Sequence, residues 1–315
     1  MSAAALAVEL GPLRLKNPIL TASGTCGYGL EIEPFGALQR LGGVVVKGLS
    51  LEPRAGNAPQ RIVETPAGML NSIGLQNIGV KAFLAGPLPE LRARGVTVIA
   101  NVFGFKASDY AGVAEQLDAA GGVAAVEVNI SCPNVKQGGL EIGSDPRATH
   151  EVVAAVRAAT RLPVIAKLTP NVTDIAAIAR AARDAGADAV SLINTLVGMS
   201  IDTRTRRPRL QTVTGGLSGP AIRPVAVAMV HKVATSVALP IIGIGGIASL
   251  DDVLEFLIAG ASAVEIGTAT YLDPTTPTRL VGELEAYLET HAIASVVELV
   301  GSLVTEQRPE GFPGG

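Results

Sequence analysis

Short β-branched runs recur along this chain, each ending on a polar residue or glycine and followed by a loop, then an apolar stripe at helical spacing closed by glycine. Eight runs read as strands: residues 18–23, 43–47, 96–101, 125–131, 163–168, 189–194, 241–245 and 264–268. Helical stripes fall between them, notably at 107–120, 145–160, 174–185, 221–237 and 250–259. Several carry start and stop signals: Asp145 before Pro146, Ser249 before Asp251 and Asp252, and Gly186 or Gly260 just past a helix end. Eight alternations within about 250 residues favour a closed (β/α)8 barrel, an α/β fold of TIM-barrel type, over an open doubly wound sheet of roughly six strands.

Two connections are longer than a barrel needs, residues 48–77 and 198–218, and the loop 132–144 is glycine-rich. All three follow strands and so belong to the C-terminal rim, where barrels carry their sites. The barrel is expected to fill residues 1–304 as one domain. The tail, residues 305–315 (TEQRPEGFPGG), is polar and rich in proline and glycine and is expected to be disordered.

Composition narrows the partners. Hydrophobic residues make up 48% of the chain with no tryptophan, which suits a parallel sheet buried on both faces by branched side chains. A net charge of −3 offers no field to a polyanion, and the only basic cluster is Arg204, Arg206, Arg207 and Arg209, so nucleic acid is not expected. The two cysteines, Cys26 and Cys132, are too few for a disulfide framework and point to a reducing compartment. The first residues lack a basic leader and a bilayer-length apolar run, so a cytoplasmic protein away from membranes is expected. With three histidines, all in helical stretches, and no metal-binding motif, no metal site is expected.

The strand ends carry the chemistry. In order they are Ser23, Lys47, Asn101, Asn129 with Ser131, Lys167, Asn194, Gly245 with Gly246, and Gly267 with Thr268. Burying an unpaired amide or ammonium costs about 2 kcal/mol or more, so a ring of such groups implies that something polar meets them. Emergence into water accounts for any one of them, but less well for two lysines and three asparagines on one ring. The glycines after strands seven and eight, together with Gly219, occupy the usual phosphate site of a barrel. Lys47 and Lys167 allow two readings: an imine-forming aldolase lysine, or a fixed positive charge facing an anionic ring or carboxylate. Cys132 opens a rim loop beside polar neighbours and Pro133, a setting for a proton-accepting thiol rather than a core residue; Cys26 has no such setting and reads as structural.

These residues resemble a known family, the NAD-type (class 1B) dihydroorotate dehydrogenase catalytic subunits. The resemblance runs from Asn17 to about Asp273. It is carried by residues 46–50 (VKGLS), 64–77 (ETPAGMLNSIGLQN), 129–136 (NISCPNVK), 166–171 (AKLTPN) and 193–195 (INT). It implies an FMN held by Ser23, Lys47, Gly48, Asn101, Asn129, Lys167, Ile193, Gly219, Gly245, Gly246, Gly267 and Thr268. It implies dihydroorotate contacts from Lys47, Asn71, Ser72, Ile73, Gly74, Leu75, Asn129, Asn134, Asn194 and Thr195, where the amides suit a ring of alternating C=O and N–H groups. Cys132 would take the C5 proton while the C6 hydride passes to the flavin, with Lys167 steadying the negative charge. The resemblance further implies a homodimer, a heterotetramer with a partner subunit carrying FAD and a 2Fe–2S cluster, and NAD as acceptor; two cysteines are too few to bind that cluster in this chain. Quinone-using relatives place serine at the base and a membrane helix before the barrel, whereas this chain has cysteine and no such helix. Ser72 departs from the alanine frequent in the family, and Val135-Lys136-Gln137-Gly138-Gly139 looks like the NAD-linked branch rather than the fumarate-linked one. A uracil-type dihydropyrimidine dehydrogenase and a Schiff-base aldolase are the competing enzyme readings, and a barrel that has lost catalysis is the competing non-enzyme reading.

Overall fold

The computed structural model describes residues 3–131 and 142–305. Cys132 and Asn134, and all of the tail but Thr305, lie outside the described residues. Eight parallel strands close into a barrel: β1 (Ile19–Thr21), β2 (Gly43–Leu49), β3 (Val98–Val102), β4 (Ala125–Asn129), β5 (Val164–Lys167), β6 (Ala189–Leu192), β7 (Ile241–Ile244) and β8 (Ala263–Ile266). Each pairs with its chain neighbour and β8 returns to β1, which abolishes sheet edges. The expected closed barrel is therefore observed, with all eight expected strands in place. The strands are buried on both faces because helices cover them outside and side chains fill the inside, which is why they read as continuous apolar runs.

Local chemistry sets the helix ends. The Asp145 carboxylate accepts the Arg147 N–H at 2.8 Å ahead of Pro146–Ala159, and Asp174 accepts the Ala176 N–H at 3.2 Å ahead of Ile175–Asp184. Ser249 and Asp252 cap each other's backbone at the start of Leu250–Ala259, and each such cap is worth about 1 kcal/mol. The expected helix at 221–237 begins later. Pro220–Ile222 forms a 3-10 turn and the α-helix is Arg223–Ala234, with Pro224 in the first turn where its missing N–H costs nothing.

Two features were not expected from the pattern. An antiparallel hairpin, Val8–Leu10 with Leu13–Leu15, turns at Gly11 against Asp188 and buries Val8, Leu10, Leu13 and Leu15 at the end of the barrel where β6 begins. At the other end, the two long connections are not irregular. Ile62–Thr65, Gly68–Asn71, Thr214–Ser218 and Leu196–Met199 form a four-stranded antiparallel sheet over the C-terminal rim.

Candidate active site

Barrel closure and register bring the strand ends together. Asn129 on β4 lies in register with Lys167 on β5, which lies in register with Ser191 on β6. The rim sheet stands over this ring, and between them is a cavity of about 550 Å³, within the roughly 300–1,000 Å³ usual for cofactor and ligand sites. Ser23, Lys47, Gly48, Asn101, Asn129, Lys167, Ile193, Asn194, Thr195, Gly219, Gly245, Gly267 and Thr268 line it from the barrel side. Asn71, Ser72, Ile73, Gly74 and Leu75 line it from the rim sheet and the turn after it. Of the described residues expected to hold the cofactor or substrate, Gly246 alone is not in the lining. It stands behind Gly219, so close that a Cβ there would meet the Gly219 carbonyl at 2.8 Å. Gly219 has φ +96, and a Cβ on it would lie 2.6 Å from the Gly68 Cα, so glycine is what lets the chain leaving Thr214–Ser218 pass against the start of the rim strand Gly68–Asn71.

The two lysines have opposite surroundings. Lys167 is 4% exposed, with Nζ 3.2 Å from both oxygens of Glu127 and 3.1 Å from Glu265 Oε2. Burial alone would lower its ammonium, but the charge of Glu127 and the hydrogen bonds to both carboxyls outweigh it and raise it. An ammonium so held is a fixed charge and a poor nucleophile, which disfavours an imine at this position. Lys47 makes no ion pair among the described residues; burial pulls its ammonium below the ordinary range, Cys26 opposes this and the Arg61 charge adds to it. A cation held half-buried without a partner is a place for an anionic ligand.

Asparagines form a second network. Asn171 donates to the Thr195 carbonyl at 3.0 Å and accepts the Val197 N–H at 2.9 Å, and Thr195 N–H donates to Asn194 Oδ1 at 2.7 Å. Asn71 Nδ2 reaches the Gly216 carbonyl at 3.3 Å, across the rim sheet. The Ser131 hydroxyl donates to the Lys167 carbonyl at 2.8 Å, which fixes the point where the chain leaves β4 toward Cys132. Cys26 is buried, with its thiol pushed up to about 11 chiefly by burial, in keeping with a structural role.

Sequence reasoning missed Asn171 and Tyr271 in the lining, and it missed the buried carboxyls Glu127 and Glu265. The polar strand ends were expected to imply a polar ligand. For Asn101 and Lys167 these carboxyls already supply a partner. A signal was available: β4 and β8 both read Ala-Val-Glu followed by a β-branched residue, an acidic side chain where a barrel strand should be apolar.

A parallel barrel whose C-terminal rim gathers two lysines, a set of asparagines and glycine turns around one cleft has the architecture of a barrel enzyme acting on an anionic ligand. The chain belongs to the dihydroorotate dehydrogenase family, whose model matches residues 5–288. It is 54% identical over 300 residues to the dihydroorotate dehydrogenase B (NAD(+)) catalytic subunit of Geotalea uraniireducens, covering 95% of this chain and 98% of that protein. It is 55% identical to the proteins of the same description from Trichlorobacter lovleyi, over 299 residues, and Geobacter sulfurreducens, over 298, with the same coverage. In fold it is similar to a crystal structure of a dihydroorotate dehydrogenase from Eimeria tenella in complex with ferulenol, with a TM-score of 0.79, 21% identity, and 95% and 88% of the two chains covered. Among the described residues no helix is long and apolar enough to cross a membrane, and no group of three or more His, Cys, Asp or Glu residues is placed to hold a metal ion.

Proposed function

We propose that this chain oxidises (S)-dihydroorotate to orotate in pyrimidine biosynthesis, working on a bound FMN as the catalytic subunit of an NAD-linked enzyme. The observation that carries this reading is the convergence on one cavity of Lys47, Lys167, residues 71–75 and Asn194–Thr195, from four separate parts of the chain. The residues fit the flavin: the cavity is large enough, glycine turns at Gly219 and Gly245 form its wall, and an anchored ammonium lies at its floor. Ser23, Gly48, Asn101, Asn129, Ile193, Gly219, Gly245, Gly246, Gly267 and Thr268 would hold it with the two lysines, and when bound it supplies the acceptor for the C6 hydride.

The protein's own groups do the rest. The Lys47 ammonium, which makes no ion pair among the described residues, meets the substrate's negative charge, while the amides of Asn71, Asn129, Asn134 and Asn194 match its alternating donors and acceptors. Cys132, one residue past the Ser131 latch, removes the C5 proton as thiolate. Lys167 keeps a positive charge at the cavity wall, where it would steady negative charge gained by a bound flavin. The rim sheet limits the access of water to the cleft. Electrons leave through a partner subunit carrying FAD and a 2Fe–2S cluster, to NAD. The relatives' description as a catalytic subunit supports such a partner. We place the enzyme in the cytoplasm as a homodimer, one barrel domain of residues 1–304 per chain.

An anaerobic titration tests the reading. The purified protein is expected to show flavin absorbance that bleaches on adding dihydroorotate, and Cys132→Ala to keep its flavin and bleach far more slowly. Flavin that stays oxidised with dihydroorotate sinks the substrate; a colourless protein that takes up no FMN sinks the cofactor.

A further inference from the structure

Beneath the cavity floor lie one ammonium and two carboxyls, whose charges do not cancel if all three are ionised. Glu127 on β4, Lys167 on β5 and Glu265 on β8 are 0%, 4% and 1% exposed. Lys167 reaches both carboxyls at 3.1–3.2 Å, but the other donors are shared unequally. Glu127 also accepts from the Ser191 hydroxyl at 2.7 Å and from the Asn101 amide. Glu265 accepts from Lys167 alone and shares a carboxyl–carboxyl hydrogen bond with Glu127, and its Oε1 is buried with no nitrogen or hydroxyl donor among the described residues.

A carboxylate without donors in a dry interior is strongly disfavoured, and a second negative charge beside Glu127 makes it more so. The donors therefore place the negative charge on Glu127 and leave the proton to the poorly served neighbour. We propose that Glu265 is held as the neutral acid and acts as a positioning residue that keeps the layer beneath the cavity from becoming negatively charged. Lys167 is then balanced by one carboxylate rather than overbalanced by two. Burial, and then the charge of Glu127, push the Glu265 carboxyl well above the ordinary range, while Lys167 and the bonds to Glu127 hold Glu127 below it despite burial. The titratable groups that act on Glu265 are Glu127 from β4 and Lys167 from β5; Cys26, after β1, is within reach of its charge and is itself buried and neutral. The consequence rests on the cavity being a flavin site: a ring that gains negative charge on reduction accepts electrons less readily above a negative layer.

The test compares the purified wild type with Glu265→Gln, a neutral isostere. Infrared spectra near neutral pH should show the carbonyl stretch of a buried protonated carboxylic acid in the wild type and not in E265Q. The flavin midpoint potentials of the two should coincide while that band persists, and wherever rising pH removes the band the wild-type potential should fall below that of E265Q. No acid band, or a potential in E265Q more positive than wild type while the band is present, overturns the proposal. If E265Q does not fold, Glu265→Asp must shift the band, and an unshifted band overturns the assignment. The band is also read in flavin-free protein. A protein that shows it yet takes up no FMN keeps the proton on Glu265 and loses the flavin reading.

Discussion

Replacing Lys167 with methionine removes one charge and keeps most of the side-chain volume, so its effect isolates the ion cluster. The ammonium is almost wholly buried and, among the described residues, is the one cation within 3.2 Å of Glu127 and Glu265. Removing one partner of a buried pair costs roughly 3–5 kcal/mol, because the remaining charge stays uncompensated. At roughly 2–3 °C per kcal/mol, extrapolated to a chain of this length, that is a fall of about 6–15 °C in Tm near neutral pH. The dependence on pH gives the sharper check. In the wild type Glu127 is held below its ordinary value, so its contribution is present above that value and lost as pH falls through the folded pKa. Without Lys167, burial dominates and both carboxyls titrate above the ordinary value. Their contribution is then complete at low pH and lost as pH rises. The gap between wild type and variant should accordingly be small near about pH 5 and widen toward about pH 8. Thermal unfolding of both proteins across that range measures it. A deficit that is constant with pH, or under about 1 kcal/mol throughout, would refute the claim that the cluster is an ion cluster held by Lys167.

Lys47→Met should hold or slightly raise Tm, since it removes a half-buried cation that has no ion pair among the described residues, while lowering kcat/KM for dihydroorotate by about 100-fold or more; a large loss of Tm would contradict this. Gly219→Ala forces a Cβ to 2.6 Å from the Gly68 Cα at a positive φ and should cost about 1–3 kcal/mol and lower the flavin content on purification. Native protein treated with an alkylating agent near about pH 8 should lose Cys132 to modification before Cys26, because the Cys26 thiol is buried and stays neutral until pH approaches about 11; peptide mapping reads the order. Asn171→Ala removes two anchors of residues 195–197 and should raise KM for dihydroorotate by about tenfold, with a smaller change in kcat.

Much of the molecule was legible in the sequence alone. Eight β-branched runs, the caps at Asp145 and Ser249, and the glycine stops are local signals, and periodicity reports them because each element's burial pattern repeats along its own few residues. The polar ring at the strand ends was legible for the same reason, since a lysine or asparagine ending an apolar run stands out without any knowledge of its neighbours. The rim sheet was not. Thr214–Ser218 is Thr-Gly-Gly-Leu-Ser, a poor strand former, and it becomes a strand because Gly68–Asn71, whose Asn71 bonds its backbone from 145 residues away, supplies the hydrogen bonds. Nor was the fate of the proton beneath Lys167. The sequence placed two glutamates in two barrel strands, but closure alone aims both at one ammonium, and the neighbouring Asn101 and Ser191 alone make their hydrogen-bonding unequal. Local pattern determines which segments become strands; which side chains share a charge depends on the phase of the pleat and the register of strands far apart in the chain, and that only the closed barrel decides.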